Sequence, residues 1–266
     1  MQNVKCEITK NIKLILEYDG TNYSGWQMQK GAERSIQKIL QDCIKKVSKE
    51  KIKLVSSGRT DAGVHALGQV ANFKTESRIG GDIWRNALNA CLPRDIRIID
   101  SEEVNISFHS RYNAKKKIYS YIILNQESPS VFLRNYVCHI PVPLDLEKMK
   151  KASNKLLGEH DFSSFRASSC GAKRPVREII DISIDERRTA LIPWLPFSPE
   201  GNFITITIEA NAFLHHMVRN IVGTLIEIGR GRFRLERMEE ILKARDRTKA
   251  GPTAPPQGLF LVKVKY

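Results

Sequence analysis

The chain has 266 residues, and its 43 Lys and Arg outnumber its 29 Asp and Glu to leave a formal charge of +14 at pH 7. At roughly 150 residues per domain this length makes about two domains, each able to bury a core. A composition 41% hydrophobic and 27% charged excludes wholesale disorder, collagen-like repeats and disulfide scaffolds. The positive surplus points to a polyanionic partner, nucleic acid or a membrane surface, because Lys and Arg gain by displacing counterions condensed on phosphates. No apolar run approaches the roughly 18 residues of a spanning helix. The nearest, 191–197, contains two prolines, so no membrane partner is expected. Residues 1–10 hold no apolar signal core, and the expected location is the cytoplasm. Five scattered cysteines, Cys6, Cys43, Cys91, Cys138 and Cys170, never stand as C-x-x-C and read as buried or free thiols.

In chain order, residues 12–18 alternate apolar and polar as a half-buried strand. A helix follows whose Ile36, Ile39, Leu40, Cys43, Ile44 and Val47 share one face, with Ser35 as its N-cap. Residues 51–56 and 69–74 are predicted strands flanking a loop over 58–68. Asp82 opens a second helix carrying Ile83, Trp84, Ala87, Leu88 and Cys91, and 96–102 closes the group as a strand. The order β-α-β-β-α-β is that of a ferredoxin-like unit. It recurs in the second half as a strand at 117–125, a helix at 146–157, strands at 176–185 and 203–210, helices at 213–228 and 235–244, and a last strand at 259–266. The fold class is therefore α+β, two ferredoxin-like halves over 1–106 and 107–266, the 58–68 loop in the first. Two segments, 158–175 and 251–258, stand outside the pattern as candidate functional loops.

Nucleotide and zinc-hydrolase signatures are absent: there is no G-x-x-x-x-G-K-[ST], no G-x-S-x-G and no H-E-x-x-H. The six histidines do not stand at metal-ligand spacing, and no metal is expected. The predicted loop instead reads SGRTDAGVHA from Ser57 to Ala66, one carboxylate between two glycines beside Arg59. That pattern suits tight-turn chemistry. It also suits catalysis, since an ionised Asp61 is a nucleophile or proton acceptor and a poor general acid. Basic clusters at 115–117, Arg166, 173–174, Arg230, Arg232, Arg234 and 245–249 are candidates for tracking a polyanion or ordinary solvated faces.

The stretch GRTDAGVHALGQVANF, 58–73, resembles the catalytic signature of the tRNA pseudouridine synthase A family. The likeness extends over LEYDGTNYSGWQ (16–27), FHSRYNAKKKIYSY (108–121), HDFSSFR (160–166), FLHHMVRNIVGTL (213–225) and GLFL (258–261). It implies two ferredoxin-like halves forming a continuous, mostly antiparallel sheet with helices on one face. It also implies isomerisation of uridines at positions 38, 39 and 40 of the tRNA anticodon arm, no cofactor or metal, and a homodimer. Carried over, Asp61 is the catalytic aspartate and Tyr119 packs against the target base. Arg59 guides the flipped nucleotide, Arg219 pairs with the carboxylate, and Leu259 or Leu261 walls the uracil pocket. Ser120 departs from the family, where arginine commonly stands between the two tyrosines. A non-catalytic RNA-binding or tRNA-folding protein on the same scaffold is the alternative; the presence together of Asp61, Arg59 and Tyr119 speaks against it, since a pure binder needs the charge but not that carboxylate among glycines. A metal-dependent nuclease is disfavoured by the lack of clustered acidic ligands.

Overall fold

A computed structural model describes residues 9–28, 34–189 and 200–266. Cys6, the helix residues' neighbours 29–33 and the apolar run 191–197 lie outside the described residues. The chain is mixed α+β with mostly antiparallel strands, and it divides into two compact units, 1–114 with 261–266, and 115–260. The division falls eight residues beyond the 106/107 boundary read from the sequence. The last six residues belong with the first unit, because that is where Tyr266 makes its contacts: its hydroxyl donates to Ser110 O at 2.8 Å.

The first unit runs β1 (Lys10–Tyr18), α1 (Ile36–Ser48), β2 (Val55–Ser56), β3 (His65–Thr75), α2 (Ile83–Asn89) and β4 (Ile96–Val104). Its strands lie in the order β4-β1-β3-β2, every pair antiparallel, the split βαβ arrangement expected of this element order. Period-two alternation puts Ile12, Leu14 and Leu16 of β1 inside, fully buried. Ile12 stands opposite Phe73 of β3, whose ring meets Trp84 of α2 edge-on at 5.0 Å. The stripe Ile36, Leu40, Cys43, Ile44 buries α1, and Ser35 caps it by accepting the Lys38 N–H. Asp82 does not cap α2: its backbone is already helical at φ −71° and its side chain makes no cap bond. The predicted strand at 51–56 shrinks to Val55–Ser56, and β3 begins at His65, so the loop carrying Asp61 is shorter and more tightly tethered than its glycines suggested.

The second unit contains β5 (Lys116–Asn125), β6 (Cys138–Ile140), α3 (Leu146–Asn154), β7 (Gly158–Asp161), β8 (Val176–Thr189), β9 (Glu200–Ala210), α4 (Met217–Gly229) and α5 (Arg237–Ala244). Strand β10 (Leu259–Lys265) starts here and continues into the first unit. The order is β5-β9-β8-β7, with the short β6 parallel beside β5. Tyr119 and Tyr121 of β5 face Ile208 and Ile206 of β9 in register. Ser120, on the opposite face, shares a 2.9 Å hydroxyl hydrogen bond with Thr207.

The predicted start of the long helix at Phe213 moves to Met217, because His216 takes a left-handed backbone at φ +63° that no α-helix continues through. Every residue of α4 except Arg219 is buried. The two segments set aside as loops are both anchored. Segment 158–175 supplies β7 and a 3₁₀ turn whose Ser164 and Phe165 are fully buried. In 251–258, Gly251, Ala254 and Gly258 are buried.

Candidate active site

Asp61 sits in the link between β2 and β3, 57–64, partly exposed between the buried Thr60 and the exposed Ala62. Three separate parts of the first unit fix this link: β3, β1 and the segment of Gly25 and Trp26. Ser57 donates its backbone N–H to Val70 O at 2.8 Å and its hydroxyl to Gln69 Oε1 at 2.7 Å. The Gln69 amide returns a bond to Gly58 O at 3.0 Å, so a fully buried glutamine on β3 sews down the loop's entry. Thr60 shares a 2.7 Å hydrogen bond with the Tyr18 hydroxyl of β1, and its carbonyl accepts from Trp26 N–H at 3.0 Å. At the exit, Asp61 O accepts from Val64 N–H at 3.2 Å, closing a turn whose Gly63 has φ +76°. Gly25 lies against the outside of the turn with φ +89°, and a Cβ there would stand 2.6 Å from Thr60 O and 2.9 Å from the Asp61 carbonyl carbon. Only glycine permits that backbone and that approach.

Tyr18 is buried, and burial pushes its phenol up from the ordinary value of 10 to about 12. A folded-state value above the unfolded one stabilises the fold fully below pH 10, and the benefit is lost as pH rises toward 12. Tyr18's share of the stability lost across that window in urea denaturation should be roughly 3 kcal/mol. Tyr18→Phe should remove that share and leave the losses from Tyr23, Tyr121 and Tyr266, whose phenols burial also pushes up.

In the second unit, Tyr119 is 8% exposed and meets the Phe213 ring edge-on at 5.0 Å. Such a pair holds the phenol in one orientation. Arg219, the single unburied residue of α4, donates from Nε to Ala254 O at 2.7 Å, and Ala254 N–H donates back to Arg219 O at 3.0 Å. The rest of the 251–258 strap is tied to the same helix. Asn220 Oδ1 accepts from the Thr253 hydroxyl at 2.7 Å and from Arg247 at 3.1 Å, and Thr224 Oγ1 accepts from Gly251 N–H at 2.9 Å. From β5, the Tyr121 hydroxyl donates to Pro255 O at 2.8 Å. This strap leads into Leu259 and Leu261, which are both buried, two residues apart on β10. Arg59 is exposed.

Among the basic clusters, Arg230 and Arg232 both pair with the buried Glu227, at 2.9 and 3.2 Å, and Arg234 pairs with Glu240. Two carboxylates thus face three arginines, so the series keeps part of its positive charge. The helpers Gln69, Tyr18, Gly25, Asn220 and Thr224 were not singled out in the sequence. They lie far from Asp61 or Arg219 in the chain or look like ordinary strand and helix positions.

The model of the family described as tRNA pseudouridine synthase matches residues 14–113 and 152–266. The chain belongs to the tRNA pseudouridine synthase family. Curated relatives agree along nearly the whole length. The tRNA pseudouridine synthase A of Thermoanaerobacter sp. (strain X514) is 48% identical over 257 residues, 97% of this chain and 100% of that protein. That of Acetivibrio thermocellus is 47% identical over the same shares. The tRNA pseudouridine synthase A 2 of Clostridium perfringens (strain 13 / Type A) is 48% identical, again over 97% of this chain and all of its own. A tRNA pseudouridine synthase is an isomerase, and so is this protein.

Proposed function

We propose that this tRNA pseudouridine synthase isomerises uridines at positions 38, 39 and 40 of the tRNA anticodon arm, in the cytoplasm and as a homodimer. The observation that carries the catalytic assignment is Asp61: a part-exposed carboxylate on a loop held at its entry by a Ser57–Gln69–Gly58 clasp and in its middle by the Tyr18–Thr60 bond. Such fixing is what a catalytic group needs to be held at its reacting distance.

The reaction is a redistribution of bonds within one nucleotide. The N1–C1′ bond breaks, the uracil turns while it is held, and C5 bonds to C1′; the proton leaves C5 and N1 gains one, so no oxidant or co-reactant is needed. Asp61 supplies the ionised carboxylate. Tyr119, braced by Phe213, supplies the platform that keeps the detached base. Arg59 and Arg219 are the cations assigned to the flipped nucleotide and to the carboxylate, and Leu259 or Leu261 the apolar wall. Bringing the target base out of its stack costs a few kcal/mol, which contact with the ring and with phosphates offsets.

The test is release of tritium from C5 of uridine in tRNA, with chelator present. Release confined to transcripts with a uridine in the 38–40 window supports the reading; binding without release from any of them favours the non-catalytic alternative. The charge of +14 gives a second expectation. Affinity for tRNA should fall with salt, log K against log[salt] sloping by roughly −0.7 to −0.9 for each phosphate neutralised. A salt-insensitive Kd would contradict the basic surface.

A further inference from the structure

The turn over 108–113 shows an aromatic group that the isomerisation does not use. Tyr112 is 76% exposed, yet its ring stacks on His109 at 4.2 Å between centroids and 27° between planes. The Arg111 guanidinium carbon stands 5.8 Å from the same ring centre. Exposed side chains usually sample several rotamers, but this pair is mounted on a fixed backbone. The N–H groups of Arg111 and Tyr112 both donate to His109 Nδ1, at 3.2 and 3.3 Å. His109 N–H donates to Asn113 Oδ1 at 2.7 Å, and Asn113 N–H returns to His109 O at 3.0 Å.

The turn is fastened from below within the first unit. Ser110 is fully buried; its N–H donates to Asn72 Oδ1 at 2.9 Å, its hydroxyl to Val55 O at 3.0 Å, and its carbonyl accepts from Tyr266. Asn11 donates to Phe108 O at 2.9 Å, and Phe108 lies against the Tyr266 ring at 5.0 Å. A large flat ring is thus held out in water on a segment that has little freedom left to lose. Binding to such a preorganised ring costs little ordering entropy.

We propose that the His109–Tyr112 stack is a docking platform for an unpaired base of the tRNA, separate from the uridine that reacts, with Arg111 taking an adjoining phosphate. The proposal rests on tRNA being the substrate. An unpaired base extends a stack of rings without needing a surrounding apolar patch, and a cation beside it suits the phosphate that follows. A protein partner fits less well. The residues flanking Tyr112, Arg111 and Asn113, are themselves exposed and polar, whereas the centre of a protein interface is depleted of charge.

The test compares Tyr112→Ala, Tyr112→Trp and Arg111→Gln with the parent in binding an unmodified anticodon-arm hairpin and a blunt, fully paired RNA duplex. Tyr112→Ala should weaken hairpin binding by about five- to a hundredfold and leave duplex binding unchanged. Tyr112→Trp should restore the hairpin affinity and show quenched indole emission on binding. Arg111→Gln should flatten the salt slope by roughly 0.7–0.9, one phosphate contact. Thermal midpoints should match the parent, because the substituted ring is already in water. Equal hairpin affinities for Tyr112→Ala and the parent would overturn the platform. So would a changed sedimentation coefficient with RNA binding intact, which would make this turn a protein contact. Should the parent release no tritium while Tyr112→Ala still loses hairpin affinity, the assignment of the reaction fails and the platform stands.

Discussion

Asp61→Asn is expected to reduce tritium release from tRNA by at least about a thousandfold while tRNA still binds with an affinity near the parent's. The amide has the shape of the carboxylate but neither its charge nor its capacity to accept a proton or attack carbon. The loop's backbone is tied down by Ser57 and Gln69 at the entry, by Thr60 with Tyr18 and Trp26 in the middle, and by the Asp61 carbonyl with Val64 N–H at the exit, all of which the amide leaves in place. The fold should therefore survive, and circular dichroism melts of the two proteins should superimpose. Separating kcat from Kd matters here. A variant that failed to bind would say only that the loop had moved, whereas binding without release places the loss in the chemistry. Release at the parental rate from Asp61→Asn would remove the aspartate from the reaction.

Gly223→Ala should destabilise the protein by about 3 kcal/mol or more, against what helix propensity alone favours. In an exposed helix, exchanging glycine for alanine stabilises by roughly 0.5–1 kcal/mol. At this position a Cβ would stand 1.7 Å from Pro252 O and 2.9 Å from its carbonyl carbon, both backbone atoms with no rotamer to retreat into. Helix α4 cannot shift to make room, since all its residues but Arg219 are buried, and overpacking of a filled interior costs more than the propensity gain. The strap must move instead. Its movement pulls on Ala254, whose carbonyl holds Arg219 Nε, so catalytic loss should exceed the fraction unfolded at the assay temperature. Urea denaturation with m unchanged measures the first effect, and kcat at a temperature where the variant is fully folded measures the second. A variant more stable than the parent would show that the helix and strap are not in this close contact.

Legibility in the sequence followed the length over which a local signal could accumulate. Helix α1 showed its apolar stripe and its Ser35 cap over more than three turns, and β9 its strict alternation in FITITIEA; both stand close to where they were read. Strands β6 and β7, of three and four residues, are too short for periodicity and exist because a neighbouring strand offers its edge. The start of α4 was misplaced because Phe213 and Leu214 continue its apolar pattern, and only the left-handed backbone of His216, a tertiary choice, breaks it. At the active site the motif made Asp61 conspicuous, but a sequence cannot display the clasp around it. Tyr18 and Thr60 stand 42 positions apart and the Arg219–Ala254 bond joins residues 35 apart. Pairings of that span become visible only when the chain is folded.

The return of residues 261–266 to the first unit also has a bearing on how the protein is made. The Tyr266–Ser110 bond closes a loop of 156 positions, with the entire second unit, 115–260, strung between its ends. A ribosome adding 5–20 residues per second takes on the order of ten seconds to make that stretch. Throughout that interval the nascent first unit already has Ser110 and Phe108 but lacks the tyrosine that fastens them. The turn bearing Tyr112 is thus fastened only after Tyr266 has been made, and protease sensitivity of stalled chains at 108–113 should persist until residues 261–266 emerge.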